Sequence, residues 1–404
     1  MGKMSGIGPS VLCACALFTV GGPAFTQSRS EAELYAELFK PGRTEYASLF
    51  DGSFLAQVPE PQIVQIVRQY VSALGEYRNA VGASGTYDLI FERGKAPSRI
   101  AVNAEGKIAG LWFGLWTLFD DSPEKLLSEF RALEGTVSLC VVKNGTETVL
   151  ELSPDVPLAV GSAFKLYILE ALSQRIGRGD ARWTDVIALR REWSSLPSGF
   201  LQEWPEGSPV TLHTLASLMI SQSDNTATDH LLFHLGREAV EAVAPERVRP
   251  FISTMELFKL KWGSNEAEQR AFLEASVAEK RRILSDLAKV PSSRVQFTPS
   301  PVLVGRIGWQ ITARELCGVI YGLRDNPVIA INPGLADKRS WSLAGFKGGS
   351  EPGVLNYTHV LRKNASSPVY SVAATINHTE KAVNAQVFTE LVTRLIGLIE
   401  RGAL

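Results

Sequence analysis

Apolar positions along the chain fall into helical runs and strand-like stretches. Ile63, Val64, Ile66, Val67, Tyr70, Val71 and Leu74 recur at helical spacing, and Gly75 closes the run. Alternating or apolar stretches at Tyr87–Glu92, Arg99–Asn103 and Ile108–Phe113, separated by turns rich in Gly, Pro and Ala, predict three strands. Residues 30–118 therefore read as a small α+β unit in which helices precede a curled sheet, a cone with a pocket. Asp121-Ser122-Pro123-Glu124 has the chemistry of a helix start: a capping Ser, Pro at the first helical position, then an acid. The domain boundary is placed just before it, with a second domain over 120–404. Val137–Val142 and Thr148–Leu152 predict two strands around a turn at Asn144-Gly145. A mostly helical stretch runs from Ser162 to about Leu335, and strands return at Leu343–Lys347, Leu355–Leu361 and Val369–Ile376. Val387, Phe388, Leu391, Val392, Leu395 and Ile399 line one face of a terminal helix. Two early and three late strands around a helical insert predict one antiparallel sheet with helices on its faces and a helical lobe alongside. The fold class is thus α+β (an α/β sandwich), with a cleft between sheet and lobe for an active site.

Composition narrows the functional classes. The 404 residues are 45% hydrophobic and 21% charged with a formal net charge of −1, which gives no electrostatic footprint for nucleic acid. Lys3, the apolar run Val11–Val20 and the small-residue exit at Pro23, Ala24 and Thr26 predict an export signal over residues 1–26. The run is too short to span a bilayer comfortably, so a periplasmic or secreted protein without a stable membrane span is expected. Cys140 and Cys317 would remain after cleavage, and their apolar surroundings predict separate buried thiols rather than a bridge. His230, His359 and His378 have no metal-ligand spacing, so neither metal nor cofactor is expected. Trp112, Phe113 and Trp116 read as packing at the domain junction.

Three short motifs carry the chemistry. Ser162 and Lys165 stand almost one helical turn apart, ahead of the apolar run Leu166, Tyr167, Ile168 and Leu169. A lysine at the start of a buried helix loses part of its preference for the charged form. A neutral amine beside a hydroxyl is a base for a serine nucleophile. Ser122-Pro123-Glu124-Lys125 has the same spacing in polar surroundings and reads as a cap. Ser223-Asp224-Asn225 lies between two apolar helical runs, where a polar triplet must cap the helices or line a cleft. In the second role Ser223 shuttles a proton to the leaving group and Asn225 hydrogen-bonds the substrate. Lys347-Gly348-Gly349-Ser350 sits on a strand whose glycines admit close approach of a ligand or backbone. Lys347 offers positive charge to a carboxylate, and the Ser350 N–H joins that of Ser162 as an oxyanion hole. Lys261-Trp262-Gly263, another Lys-x-Gly string, reads as a loop.

In this order and context, the strings VGSAFKLYILEAL, MISQSDNTATDHLL and FKGGSEPGVLN closely resemble the signature of class A β-lactamases and penicillin-binding proteins. The resemblance covers about residues 120 to 404. The two-domain layout and the Lys-Gly-Gly-Ser-Glu-Pro-Gly string further resemble the clavulanic-acid-cluster β-lactamase-like type, whose first domain is steroid-isomerase-like (NTF2-like). The resemblance implies a serine hydrolase that opens β-lactams, or related esters and amides, through an acyl group on Ser162. Its partner is a small-molecule substrate. Two departures stand out. Gly348 replaces the hydroxyl residue of the third motif, and no Glu-x-x-Leu-Asn string follows Ser223 to supply the deacylating glutamate. The nearest acid, Glu256, reads as a surface residue. A carboxylesterase, a D-alanyl peptidase or a penicillin binder on the same scaffold is the alternative, and a binding module with an apolar ligand in its first domain is a third reading.

Overall fold

A computed structural model describes residues 29–404 apart from Leu115. The expected signal segment lies outside the described residues. The chain divides into two compact units. One runs to Leu126 and includes Ala385–Ala403, and the other covers Leu127–Asn384 with Leu404. A single domain from 120 to 404 was expected; in the structure its last helical segment groups with the first unit.

The first unit begins with α1 (Glu31–Leu38), α2 (Gly52–Gln57) and α3 (Glu60–Leu74). Ser30 and Glu33 form a reciprocal capping box on α1, a sequence signal that the hydrophobic pattern alone does not register. The strands β1 (Tyr77–Ala83), β2 (Thr86–Phe91), β3 (Gly94–Val102) and β4 (Ile108–Phe113) form an antiparallel sheet in that order, and β5 (Thr117–Leu118) pairs with β3. Edge strand β1 is mostly exposed and lacks alternation, so hydrophobicity gave no sign of it. Between helices and sheet lies an aromatic core of Phe39, Tyr70, Phe91 and Trp116, with Phe113 packed against it. Trp116 meets Tyr70 edge-on at 5.0 Å and donates its indole N–H to Glu390. Phe113 and Trp116, two of the three aromatics assigned to the domain junction, thus belong to this unit's own core, while Trp112 lies under the Arg99 guanidinium.

The helix α4 (Pro123–Arg131) starts as its sequence suggests, with Ser122 Oγ accepting from Lys125 N at 3.2 Å. In the second unit β6 (Thr136–Lys143) and β7 (Glu147–Leu152) turn at Asn144-Gly145, both at positive φ. A short strand β8 (Leu158–Ala159) leads through a 3₁₀ turn at Gly161–Phe164 into α5 (Lys165–Gly177). Strands β9 (Val186–Ala188) and β10 (Pro209–Thr211) pair beside α6 (Leu212–Ser221), α7 (Asn225–Leu235) and α8 (Arg237–Glu241). After α9 (Thr254–Phe258) a π-helical turn at Lys259–Gly263 replaces the expected loop, and its Lys261 and Trp262 are buried. The unit continues with α10 (Glu266–Glu274), α11 (Val277–Ala288), β11 (Gln310–Ile311, paired with β8) and α12 (Ala313–Gly322).

The strands β12 (Leu343–Glu351), β13 (Val354–Arg362) and β14 (Val369–Asn377) complete the main sheet in the order β12-β13-β14-β6-β7, all antiparallel. Two early and three late strands therefore form one sheet, as the sequence order suggests. The central strand β14 is buried along nearly its whole length, which is why its run is mostly apolar and interrupted only at Ser371, Thr375 and Asn377. Phe164, the residue before α5, stacks on Trp309 at 3.5 Å and meets Phe251 at 5.7 Å. Truncating so buried a ring costs about 3–5 kcal/mol, so the turn that carries Ser162 stands on a rigid base. The terminal helix α13 (Ala385–Glu400) is buried at Phe388, Leu391, Val392, Leu395 and Ile399.

Cys140 and Cys317 are free and buried, and Cys317 Sγ donates to the Cys140 carbonyl at 3.3 Å. Among the described residues, no helix is long and apolar enough to cross a membrane, and no three His, Cys, Asp or Glu side chains converge on a metal-sized site.

Candidate functional site

The three motifs meet in the second unit. Ser162 lies in the 3₁₀ turn and Lys165 opens α5, so the local fold presents both at one helix end. Lys165 is fully buried. Its Nζ donates to the Ser223 carbonyl at 2.6 Å, to Asn225 Oδ1 at 2.7 Å and to Ser223 Oγ at 3.2 Å. Burial, and secondly the nearby charge of Lys347, hold its pKa well below the ordinary lysine value.

Ser223 sits at the junction of α6 and α7 with φ 55°, a left-handed conformation that costs a non-glycine residue energy. Its hydroxyl lies between two lysines, because Lys347 Nζ also donates to it, at 3.0 Å. The second Lys347 bond goes to the Gly348 carbonyl at 2.7 Å. Burial brings the Lys347 pKa down to about 7. A hydroxyl held between two buried amines is geometrically suited to pass a proton from one side to the other.

Asp224 fixes this arrangement from beneath. Its Oδ1 caps α7 through Ala227 N at 2.8 Å, and its Oδ2 accepts from Phe200 N at 2.7 Å and Leu201 N at 3.0 Å. A Cβ on Gly199 would lie 2.1 Å from that carboxylate, so only glycine lets the 196–204 loop press onto the motif. Asn225 spends Oδ1 on Lys165 and one N–H on the Leu196 carbonyl at 2.9 Å. Its second N–H is the part left for a substrate. The residue therefore positions Lys165, which its spacing in the sequence did not suggest.

Strand β12 brings the third motif against the first. A Cβ built on Gly349 would stand 2.1 Å from the Val160 carbonyl and 2.4 Å from Ser162 N. One built on Gly161 would stand 2.6 Å from Ser350 N. The Ser162 and Ser350 peptides thus flank a backbone-to-backbone contact that excludes side chains. Gly348 faces the other way, where a Cβ would meet the Phe346 ring at 2.7 Å.

Two acids behave differently from expectation. Glu256 is not a surface residue. It is buried and bound by Arg237 through bonds of 2.8 and 3.0 Å, and it accepts from Ser253 N at 2.6 Å in a capping box. Asp229, which the motif reading passed over, is fully buried on α7 and accepts from Thr254 N at 2.8 Å and Met255 N at 3.0 Å. Burial raises its pKa to about 6. An acid on the helix that Ala227, Leu231 and Leu232 predict, about one turn after Asn225, was the available signal.

No curated protein matches the chain significantly. Solved structures with some likeness include a beta-lactamase from Sphaerobacter thermophilus, 19% identical with a TM-score of 0.48, covering 69% of this chain and 97% of that one. PBP-A is 13% identical with a TM-score of 0.46 and coverages of 69% and 96%. A representative class A beta-lactamase from Bacteroides cellulosilyticus is 16% identical with a TM-score of 0.44 and coverages of 70% and 99%. Residues 123–289, which hold Ser162, Lys165, Ser223 and Asn225, match the model of the beta-lactamase enzyme family.

Proposed function

We propose that the protein is a serine hydrolase that opens β-lactams, or esters and amides of similar shape, through an acyl group on Ser162. The observation that carries this reading is the buried Lys165 amine, bonded to Ser223 and Asn225 three residues after Ser162. Lys165 in its neutral form takes the Ser162 proton as the hydroxyl attacks. Ser223, bridging to Lys347, delivers a proton to the leaving nitrogen or oxygen. The Ser162 and Ser350 N–H groups hold the developing oxyanion, Gly349 keeps them adjacent, and Lys347 supplies positive charge for a substrate carboxylate.

A slow-turnover reading is favoured by one observation. Glu256, the acid nearest in sequence to the family's deacylating position, is locked to Arg237 and Ser253. A penicillin-binding protein, D-alanyl peptidase or carboxylesterase on this scaffold is the alternative. Hydrolysis of a chromogenic cephalosporin, compared with a short acyl ester in wild type and Ser162→Ala, separates the cases. The variant should lose turnover of both substrates while keeping its melting temperature, and retained turnover refutes the assignment.

Residues 30–118 are read as the steroid-isomerase-like domain. The support is the order of three helices followed by an antiparallel sheet over an aromatic interior. Export to the periplasm or medium is proposed from the composition of residues 1–26.

A further inference from the structure

Strand β12 lies at the edge of the main sheet, and its side chains alternate between two faces. Lys347 and Gly349 share one face. The Lys347 ammonium meets Ser223 Oγ, and a Cβ built on Gly349 would stand 2.4 Å from Ser162 N. Two residues on, roughly 7 Å further along the strand, Glu351 stands on that same face. Ser350, whose N–H is assigned to the oxyanion hole, immediately precedes it.

The Glu351 carboxylate is held in place. Its Oε2 accepts from Lys261 Nζ at 2.7 Å, and the lysine side chain is 0% exposed against 12% for the glutamate. Lys261 belongs to the π-helical turn, and Gln269 Nε2 pins the Leu260 and Lys261 carbonyls of that turn at 3.1 Å each. The turn and the lysine are therefore built to carry a carboxylate on the nucleophile's side of β12. The other buried acids near the motifs are committed elsewhere, Glu256 to Arg237, Asp229 to two backbone N–H groups and Asp224 to three. A carboxylate bonded once to an ammonium keeps acceptor sites for a water.

We propose that Glu351 is the general base that activates the water clearing the acyl group from Ser162, with Lys261 holding its carboxylate in position. The proposal rests on the reading of Ser162 as an acylated nucleophile. Glu351 takes a proton from the water as the water oxygen bonds to the acyl carbon. The Ser162 and Ser350 N–H groups hold the resulting oxyanion. The bond from acyl carbon to Ser162 Oγ then breaks, and the oxygen takes a proton back from Glu351 as the carboxylic acid leaves.

The test is time-resolved intact mass of wild type, Glu351→Gln and the double variant Lys261→Met/Glu351→Gln, each mixed with benzylpenicillin and with a short acyl ester. The double variant leaves no unpaired buried lysine, so it controls for folding, and thermal melts accompany all three. The expected result is an adduct in every protein. It clears in wild type and persists about 100-fold longer or more in both variants. Clearance at the wild-type rate in either folded variant overturns the proposal, as does a wild-type adduct that never clears. No adduct and no turnover in any protein overturns the reading of Ser162, and the role of Glu351 with it.

Discussion

Substituting Gly349 by Ala adds one methyl group where β12 meets the Ser162 turn, and the structure fixes what it must do. The new Cβ would lie 2.1 Å from the Val160 carbonyl, 2.4 Å from Ser162 N and 2.7 Å from Gly161 C. All three are backbone atoms, so no side chain can rotate out of the way. Relief requires β12 and the 160–162 segment to part by about 1 Å, a displacement that on its own can cost about 100-fold in rate. It also moves the Ser350 N–H from its partner position, and loss of one oxyanion donor costs about 100- to 1,000-fold. The overpacking itself is expected to cost about 1–3 kcal/mol of stability. Gly348→Ala is the internal control. Its Cβ would meet mainly the tip of the Phe346 ring at 2.7 Å, and a ring on an edge strand can tilt. The assay is the acylation rate from intact mass, with urea unfolding in parallel. Gly349→Ala should acylate about 100-fold or more slowly while remaining folded, and Gly348→Ala should lose less than about tenfold. Equal rates for Gly349→Ala and wild type would refute the contact between the first and third motifs.

Other consequences follow from single side chains. Asp224→Ala strips a helix cap and the acceptor of two further buried N–H groups, a loss of about 3–5 kcal/mol measurable by urea unfolding; a loss below 1 kcal/mol would contradict that network. Lys347 has a folded-state pKa near 7 against an ordinary 10.5, so the unfolded chain binds more protons between those values and stability rises with pH across them. Lys347→Met should therefore be stabilised relative to wild type most below pH 7, with the gain fading toward pH 10.5; a gain that grows with pH contradicts the sign. Cys140 and Cys317 are both buried and free, and burial pushes the Cys317 thiol up. A thiol-specific reagent should label neither in the folded protein and both once it is unfolded without reductant, whereas no labelling after unfolding would reveal a disulfide.

Much of the second unit is legible in sequence because each strand of its sheet is apolar or alternating and bounded by turn residues. Val369–Asn377 is buried on both faces and shows it as a mostly apolar run. The motif order likewise foretells that Lys165, Ser223, Asn225 and Lys347 meet. The misses have physical causes. Glu256 looks exposed because its partner Arg237 lies nineteen positions away, and a pattern of polarity does not report pairing. Lys261 was read as part of a loop since nothing local marks a lysine whose carboxylate, Glu351, is ninety residues on. β1 went unseen because an exposed edge strand carries no hydrophobic alternation. The hold of Asn225 on Lys165 and on the Leu196 carbonyl has no local sequence signal either, because those partners lie sixty and twenty-nine residues away.

The central claim is that Ser162 is the atom that becomes acylated. Intact mass followed by peptide mapping, for wild type and Ser162→Ala mixed with a penicillin and a cephalosporin, tests it directly. The account predicts one adduct on wild type, mapped to Ser162, and none on the variant. An adduct of equal yield on the variant, or one mapped to another residue, would contradict it.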